Sequence, residues 1–503
     1  SIPTDQRPGY AAVYFHRVGD DYQKDRLVHD KTGDPKTFIS VDLSHDGHFL
    51  FVSKHYGWTK DEVWFKDLRG RAGAKNVLSR PGDHPNKAFV PLAVSRKGKY
   101  RVEAHGSAIY VMTDLDAPNW RLMSVDPTKP GVDDWKELIA EKKDAVLKSV
   151  SVIGGKLVLR YLRNASSEVH MTDLNGKPFR KISLPGIGSV SGLQGNPDHD
   201  EAYYAYSSYV EPTTVYETSI AKGGKTPYFA LDVPVDTSQF ETKQVWFQSK
   251  DGTKVSMFII GRKGLTMSGD LPVLLYGYGG FNVSLTPRFR ASRFVWLERG
   301  GVVAIPNLRG GGEYGEAWHQ GGMREKKQNV FDDYIAAAQY LIDKQYTRPR
   351  RLAIMGGSNG GLLVGAAMTQ RPELYQAVVC AVPLLDMVRY HLFGSGRTWI
   401  SEYGSSEDEA LFKAILAYSP YHQTKAGAKY PALLMLTADS DDRVDPLHAR
   451  KFVARLRYDM ASDEPVLLRV ETNSGHGGGD MVKKRLERNV DVYAFLLQQL
   501  GVK

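Results

Sequence analysis

The stretch Arg351–Gln370, RLAIMGGSNGGLLVGAAMTQ, sets one serine among glycines between two apolar runs. RLAIM has the unbroken apolarity of a buried strand, and GLLVGAAMT opens a helix whose small residues allow close approach to a sheet. Between them Gly356-Gly357-Ser358-Asn359-Gly360 fits G-x-S-x-G, a turn tight enough to strain the serine backbone. Glycines there remove the Cβ atoms that would collide. The pattern predicts a hydroxyl held above a sheet edge at the positive end of a helix.

Outward from this turn the same texture repeats. LPVLLYGYGG, GVVAIPNLRG, AVVCAVPLL, PALLMLTAD and VLLRVETN read as near-continuous apolar strands. FDDYIAAAQYLIDKQ, DPLHARKFVARLR and VDVYAFLLQQL read as the helices between them. Ahead of them lies a hairpin, QVWFQSKDGTKVSMFII, turning at Asp251-Gly252. Unalternated strands with helical crossovers imply a doubly wound, mostly parallel sheet covered on both faces. The texture changes near LDVPVDTSQFETKQ, so residues 238–503 are expected to form this α/β domain and residues 1–237 another.

The first part alternates apolar and polar positions in short runs, with hairpins at Asp46-Gly47 and Gly154-Gly155. A fuzzy ending recurs in EVWFKDL, WRLMSVD, EVHMTDL and TVYETSI, about 50 residues apart. That spacing suits a four-stranded blade with its loops, which predicts a β-propeller of about four to five blades, either a small ring or an incomplete one.

Composition agrees with two soluble cores: 503 residues, 42% hydrophobic and 24% charged. There is no run of about 18 apolar residues to span a membrane. The net charge of +9 is scattered through mixed stretches such as AEKKDAVLK and MVKKRLER, which argues against a nucleic-acid face. The single cysteine, Cys380, lies in an apolar run, so it reads as a buried thiol with no disulfide and no cysteine metal site. RGGGEYG contains G-x-G-x-x-G at Gly310, Gly312 and Gly315, but the acids that follow, Asp332 and Asp333, open a helix rather than close a strand. With neither H-e-x-x-H nor a Walker A lysine, no metal and no cofactor are expected.

A serine hydroxyl needs a base, and the base an orienting carboxylate. In α/β-hydrolases these follow along the chain as serine, acid, histidine. Here the strand in LLMLTADSDDRVDP releases Asp439, Asp441, Asp442 and Asp445 into one loop, and VLLRVETNSGHGGGD then presents His476 in a glycine-lined loop. Spacing does not decide among the four aspartates.

YGYGGFN, NLRGGGEYGEAWH, GGSNGGLL, DDRVDPLHARKF and GHGGG together closely resemble the prolyl oligopeptidase (S9) family of serine peptidases. The resemblance runs from about Asp21 to the C-terminus and implies a serine endopeptidase that cleaves short proline-containing oligopeptides after proline. It implies Ser358 as nucleophile, Asp441 as orienting acid and His476 as general base. The Asn359 N–H and the Tyr278 hydroxyl would form the oxyanion hole, where losing one donor typically costs about 10² to 10³ in rate. Phe281, Trp399, Tyr403 and Val444, with Asn359 at the edge, match the family's proline pocket, and Arg443 its ligand for the substrate main chain. This aromatic and aliphatic set argues against the acidic pocket of oligopeptidase B-like enzymes, and no glutamate pair of the dipeptidyl peptidase kind is evident. Family members also carry a helical N-terminal segment and further blades, so the resemblance implies an N-terminal part beyond this chain, whose loss would expose an apolar face of the hydrolase domain. A monomer is expected, and the compartment stays unassigned. The alternatives are an S9 peptidase or esterase of other specificity, or an inactive scaffold that only binds.

Overall fold

The computed structural model describes residues 2–69, 84–477 and 482–503. Four antiparallel four-stranded sheets follow one another, each built from consecutive strands. The first runs Thr37–Leu43, Phe49–Tyr56, Lys60–Asp67 and Val90–Ala93, and the second begins at Tyr100–His105. The third begins at Val146–Ile153 and the fourth at Ser189–Gly195. A two-stranded sheet, Val13–Phe15 with Arg26–His29, precedes them. Each recurrent ending seen in the sequence falls on the third strand of a sheet: Lys60–Asp67, Arg121–Val125, Ser166–Thr172 and Thr214–Ser219.

These sheets are propeller blades, and their cores lie between neighbours rather than within one sheet. Phe49, Phe51 and Phe65 of the first blade pack with Ile109 and Val111 of the second. Tyr110 and Met112, on the opposite face of that same strand, pack with Leu157 and Tyr161 of the third. Middle strands are therefore apolar at successive positions, unlike the simple alternation expected from sequence, because a blade has a neighbour on both faces.

The second half holds an eight-stranded mixed sheet. The hairpin Phe240–Gln248/Lys254–Arg262 is antiparallel and joins the sheet through Val302–Pro306. Val273–Tyr276, Leu352–Gly357, Ala377–Ala381, Ala432–Ala438 and Val466–Glu471 then run parallel. Helices Gln328–Asp343, Asn359–Gln370 and Leu447–Asp459 cover one face. Phe294–Leu297 and Val482–Gln499 cover the other. Val273 and Leu275 point into the first core and Leu274 into the second, which is why these strands show no polar side. The last helix leaves Val482, Leu486 and Val490 exposed along one stripe.

Parallel strands send all their carboxyl ends to one edge of the sheet. Tyr278, Ser358, Asp441 and His476 each follow such an end within a few residues, so the topology gathers them although they lie far apart along the chain.

Candidate active site

Ser358 sits between the strand Leu352–Gly357 and the helix Asn359–Gln370 with φ 58° and ψ −120°, a conformation rare outside glycine. What holds it there is close backbone packing: a Cβ on Gly356 would lie 2.1 Å from the Gly360 carbonyl oxygen. No side chain fits, so both flanking glycines of the motif are steric requirements. The Ser358 N–H donates to the Ala381 carbonyl at 2.8 Å, tying the turn to the next strand.

The carboxylate that meets His476 is that of Asp441, Oδ2 accepting from Nδ1 at 2.7 Å. Its other oxygen accepts from the Arg443 and Val444 N–H groups at 3.1 and 2.9 Å, which fixes the carboxylate in the loop. The other three aspartates are used elsewhere or exposed. Asp439 accepts from the N–H groups of Asn473 and Ser474, Asp445 accepts from Leu447 N at the start of a helix, and Asp442 faces solvent. Asp439 thereby ties the acid loop to the histidine loop. Gly478 and Gly479 of the GHGGG motif lie outside the described residues.

Among the described residues no hydrogen bond joins His476 to Ser358. The imidazole is largely buried against Asp441, while the half-buried Ser358 opens into a cavity of about 1200 Å³. Hydrolase residues Tyr278, Phe281, Trp399, Tyr403 and Arg443 line that cavity on one side. Trp58, Lys99, Arg101, Trp120 and Lys148 of the propeller line it on the other. Val444 and Asn359 are buried behind the wall.

The aromatic residues pack edge to face. Phe281 meets Tyr403 at 5.4 Å between ring centroids and 84° between planes. On its other side Phe281 meets Trp58 of the propeller at 5.6 Å and 80°. Phe281 itself has φ 57°, so the loop that presents it is locally strained. The Tyr278 phenol lies beside Ser358; burial, then the charge of Glu402, push its pKa up to about 12, so it stays a donor at neutral pH.

Beneath this wall runs a chain of buried polar groups that sequence reasoning missed. Glu402 accepts from the Phe281 N–H at 2.8 Å and pairs with His319 Nε2 at 2.8 Å. His319 Nδ1 meets Glu316 at 3.2 Å, and Glu316 meets Lys99 of the propeller, which also pairs with Asp114 at 3.3 Å. Lys327 donates to the Gly279 carbonyl at 2.9 Å and the Asn359 side-chain oxygen at 3.2 Å, with Glu402 at 4.0 Å. Asn359 also accepts from the Tyr403 hydroxyl at 2.8 Å and donates to the Tyr278 carbonyl at 2.6 Å. Burial opposes charge on His319, but its hydrogen bonds to Glu316 and Glu402 outweigh that and raise its pKa. Burial likewise works against Glu316, yet His319 and Lys99 hold it down at about 2. Lys327 is pushed down to about 8 by burial. The one signal for these residues was position: His319 lies within the quoted NLRGGGEYGEAWH, and Glu402 between the pocket candidates Trp399 and Tyr403.

Gly315 shows how tightly the halves dock. A Cβ there would lie 2.1 Å from the Asn119 side-chain oxygen of the propeller, and the next N–H, of Glu316, donates to the Pro118 carbonyl at 2.8 Å. The glycines of RGGGEYG thus serve close backbone approach.

Residues 2–230 match the model described as the prolyl oligopeptidase N-terminal beta-propeller domain, and residues 287–503 match that of the prolyl oligopeptidase family. The prolyl endopeptidase of Elizabethkingia meningoseptica is 37% identical over 493 residues, 98% of this chain and 68% of that protein. The chain belongs to the prolyl oligopeptidase family. It is a serine peptidase of the S9 type, an α/β-hydrolase joined to a β-propeller. A solved prolyl endopeptidase structure superposes with a TM-score of 0.93 at 52% identity, covering 100% of this chain and 72% of that one. Prolyl oligopeptidase B from Galerina marginata, solved with a 35-residue hydrolysis and macrocyclization substrate, superposes with a TM-score of 0.90 at 30% identity over 98% of this chain and 69% of that one. The chain thus spans about two thirds of the length of the family members it matches.

Proposed function

We propose that this chain hydrolyses short peptides on the carboxyl side of proline through an acyl-enzyme on Ser358. The observation that carries the reading is the buried Asp441–His476 pair at the same sheet edge as a serine held at positive φ. Ser358 Oγ attacks the carbonyl carbon of the proline and gives its proton to His476 Nε2. Asp441, bonded to Nδ1, keeps Nε2 as the free acceptor and stabilises the imidazolium that results. The Asn359 N–H and the Tyr278 hydroxyl receive the developing oxyanion. His476 then protonates the leaving amine, and a water activated by the same imidazole releases the acid. Nε2 has to come onto Ser358 for the first transfer, since that hydrogen bond is not among those present.

Specificity rests on Phe281, Tyr403 and Trp399, flat and apolar surfaces for a pyrrolidine ring, with Arg443 for the neighbouring main-chain carbonyl. Val444 supports this pocket from behind rather than lining it. The propeller shares the cavity, which favours short peptides over folded proteins. All these groups come from one chain, so a monomer suffices.

The experiment is a set of equal-length peptides with proline, alanine or arginine before the scissile bond. Proline should be cleaved fastest, and preference for arginine would overturn the reading. A serine-directed fluorophosphonate should label Ser358; an unlabelled protein would be a binding scaffold.

A further inference from the structure

On the propeller side of the cavity, Arg101 and Lys148 lie close together with no salt bridge to either among the described residues. Arg101 stands on the first strand of the second blade and Lys148 on the first strand of the third, with the Arg101 guanidinium donating to the Lys148 carbonyl at 2.7 Å. Arg160, on the strand paired with that of Lys148, donates to Ser149 at 3.3 Å. Burial lowers all three pKa values, and mutual repulsion adds to that for Lys148 and Arg160, leaving Lys148 at about 8. None forms an ion pair among the described residues.

The acids nearby are already engaged. Asp61 pairs with His55 at 2.7 Å and accepts from the Tyr100 N–H. Asp114 pairs with Lys99, itself bound to Glu316. Glu313, the acid whose field reaches Lys148, is fully buried, accepts from Leu285 N at 2.6 Å, and is pushed up to about 6 by burial. Clustered cations at a cavity wall cost folding energy through repulsion and desolvation, a cost that an arriving anion offsets.

Lys148 is also tied to the catalytic half. Its ammonium donates to the Ser284 hydroxyl at 3.3 Å, three residues beyond Phe281. Lys148, Arg101 and Ser358 line the same cavity of about 1200 Å³. An extended peptide advances about 3.3 Å per residue, so such a space holds only a handful of residues around the scissile bond.

From this we infer that Arg101 and Lys148, supported by Arg160, form a carboxylate-binding subsite that selects anionic peptides, through an acidic side chain or the C-terminal carboxylate. The inference rests on the proposed peptidase reading and refines its substrate class.

The test compares proline peptides that differ only in Glu, Gln or Lys at each position flanking the proline, each with a free or an amidated C-terminus. At low salt kcat/KM should be about tenfold higher for one acidic placement than for its Gln counterpart, lower still for Lys, and the ratio should shrink as salt screens the field. A gain confined to free C-termini assigns the terminal carboxylate; a gain confined to Glu assigns the side chain. In Arg101→Gln/Lys148→Gln the acidic-to-neutral ratio should fall toward one, and Lys148→Arg should restore it beside native Arg101. Equal rates for all charges in the unaltered protein, at every placement and both termini, would overturn the subsite. Should no peptide be cleaved, the peptidase reading fails separately. Equilibrium binding of the same acidic and neutral peptides to Ser358→Ala then decides the subsite, equal affinity counting against it.

Discussion

On the hydrolase side of the cavity Lys327, His319 and Glu402 are fully buried, and these three charges face opposite ones. On the propeller side Arg101 and Lys148 lie together with no ion pair among the described residues. Neutralised charges rigidify: they hold the Phe281 N–H, the Gly279 carbonyl and the Asn359 amide, the backbone from which the oxyanion hole and the proline pocket are proposed to be built. Unneutralised charges leave a field directed into the cavity. The buried Lys327–Glu402–His319 group spends its charges on geometry, whereas Arg101 and Lys148 present theirs to whatever enters.

The largest expected effect lies at the serine that both walls serve. Ser358→Ala should lower kcat by at least about 10⁴ with an unchanged circular dichroism spectrum. Residual turnover near that of the unaltered protein would move the nucleophile elsewhere.

Glu402→Gln comes next and tests the neutralised wall. It keeps an acceptor for Phe281 N–H but leaves Lys327 without its counter-charge. A loss of about 10 to 10² in kcat and about 3 kcal/mol in stability is expected. On the opposite wall Lys148→Gln removes repulsion, so its melting temperature should match or exceed that of the unaltered protein. Equal destabilisation by both substitutions would erase the contrast.

Trp399→Ala should lower cleavage after proline about tenfold more than cleavage after alanine, the value of one aromatic stacking contact. Equal losses on both substrates would remove stacking from the account.

The last effect, visible only in acid, concerns the seam between the halves. Glu316 is held at about 2 against an ordinary 4.5, chiefly against the opposing pull of burial, by His319 and by Lys99 of the propeller. A carboxylate depressed on folding contributes stability that is complete above its unfolded pKa and fades as pH falls through its folded one. Stability should therefore decline between about pH 4.5 and 2, and Glu316→Gln should flatten that slope in thermal melts.

Much of this was readable along the chain. Hairpin turns at Asp46-Gly47 and Gly154-Gly155, the recurring third strand of each blade, and the six apolar strands of the hydrolase half all depend on residues close in sequence. The G-x-S-x-G turn belongs with them, because its requirement for glycine is a contact between residues four apart. Harder to read were the strands of the blades that are apolar on both faces, since that depends on two neighbouring sheets.

The candidate site divides in the same way. Ser358, the four aspartates and His476 could be picked out as residues following strand ends, yet spacing could not separate Asp441 from Asp439, Asp442 or Asp445. Only the packed loops do so, by turning one carboxylate onto the imidazole and spending another on the Asn473 N–H. Trp58 against Phe281, and Lys99 against Glu316, join residues more than two hundred positions apart and carry no local pattern.

By itself, then, the order of residues determined the two textures, the strained serine turn and the set of groups able to do acyl transfer, because periodicity and turn chemistry act over a few bonds. The folded chain alone decided which aspartate meets the histidine, which buried charges are cancelled, and which are left facing the cavity. Charge pairing depends on distance through space and on exclusion of water, and neither exists until the chain has folded.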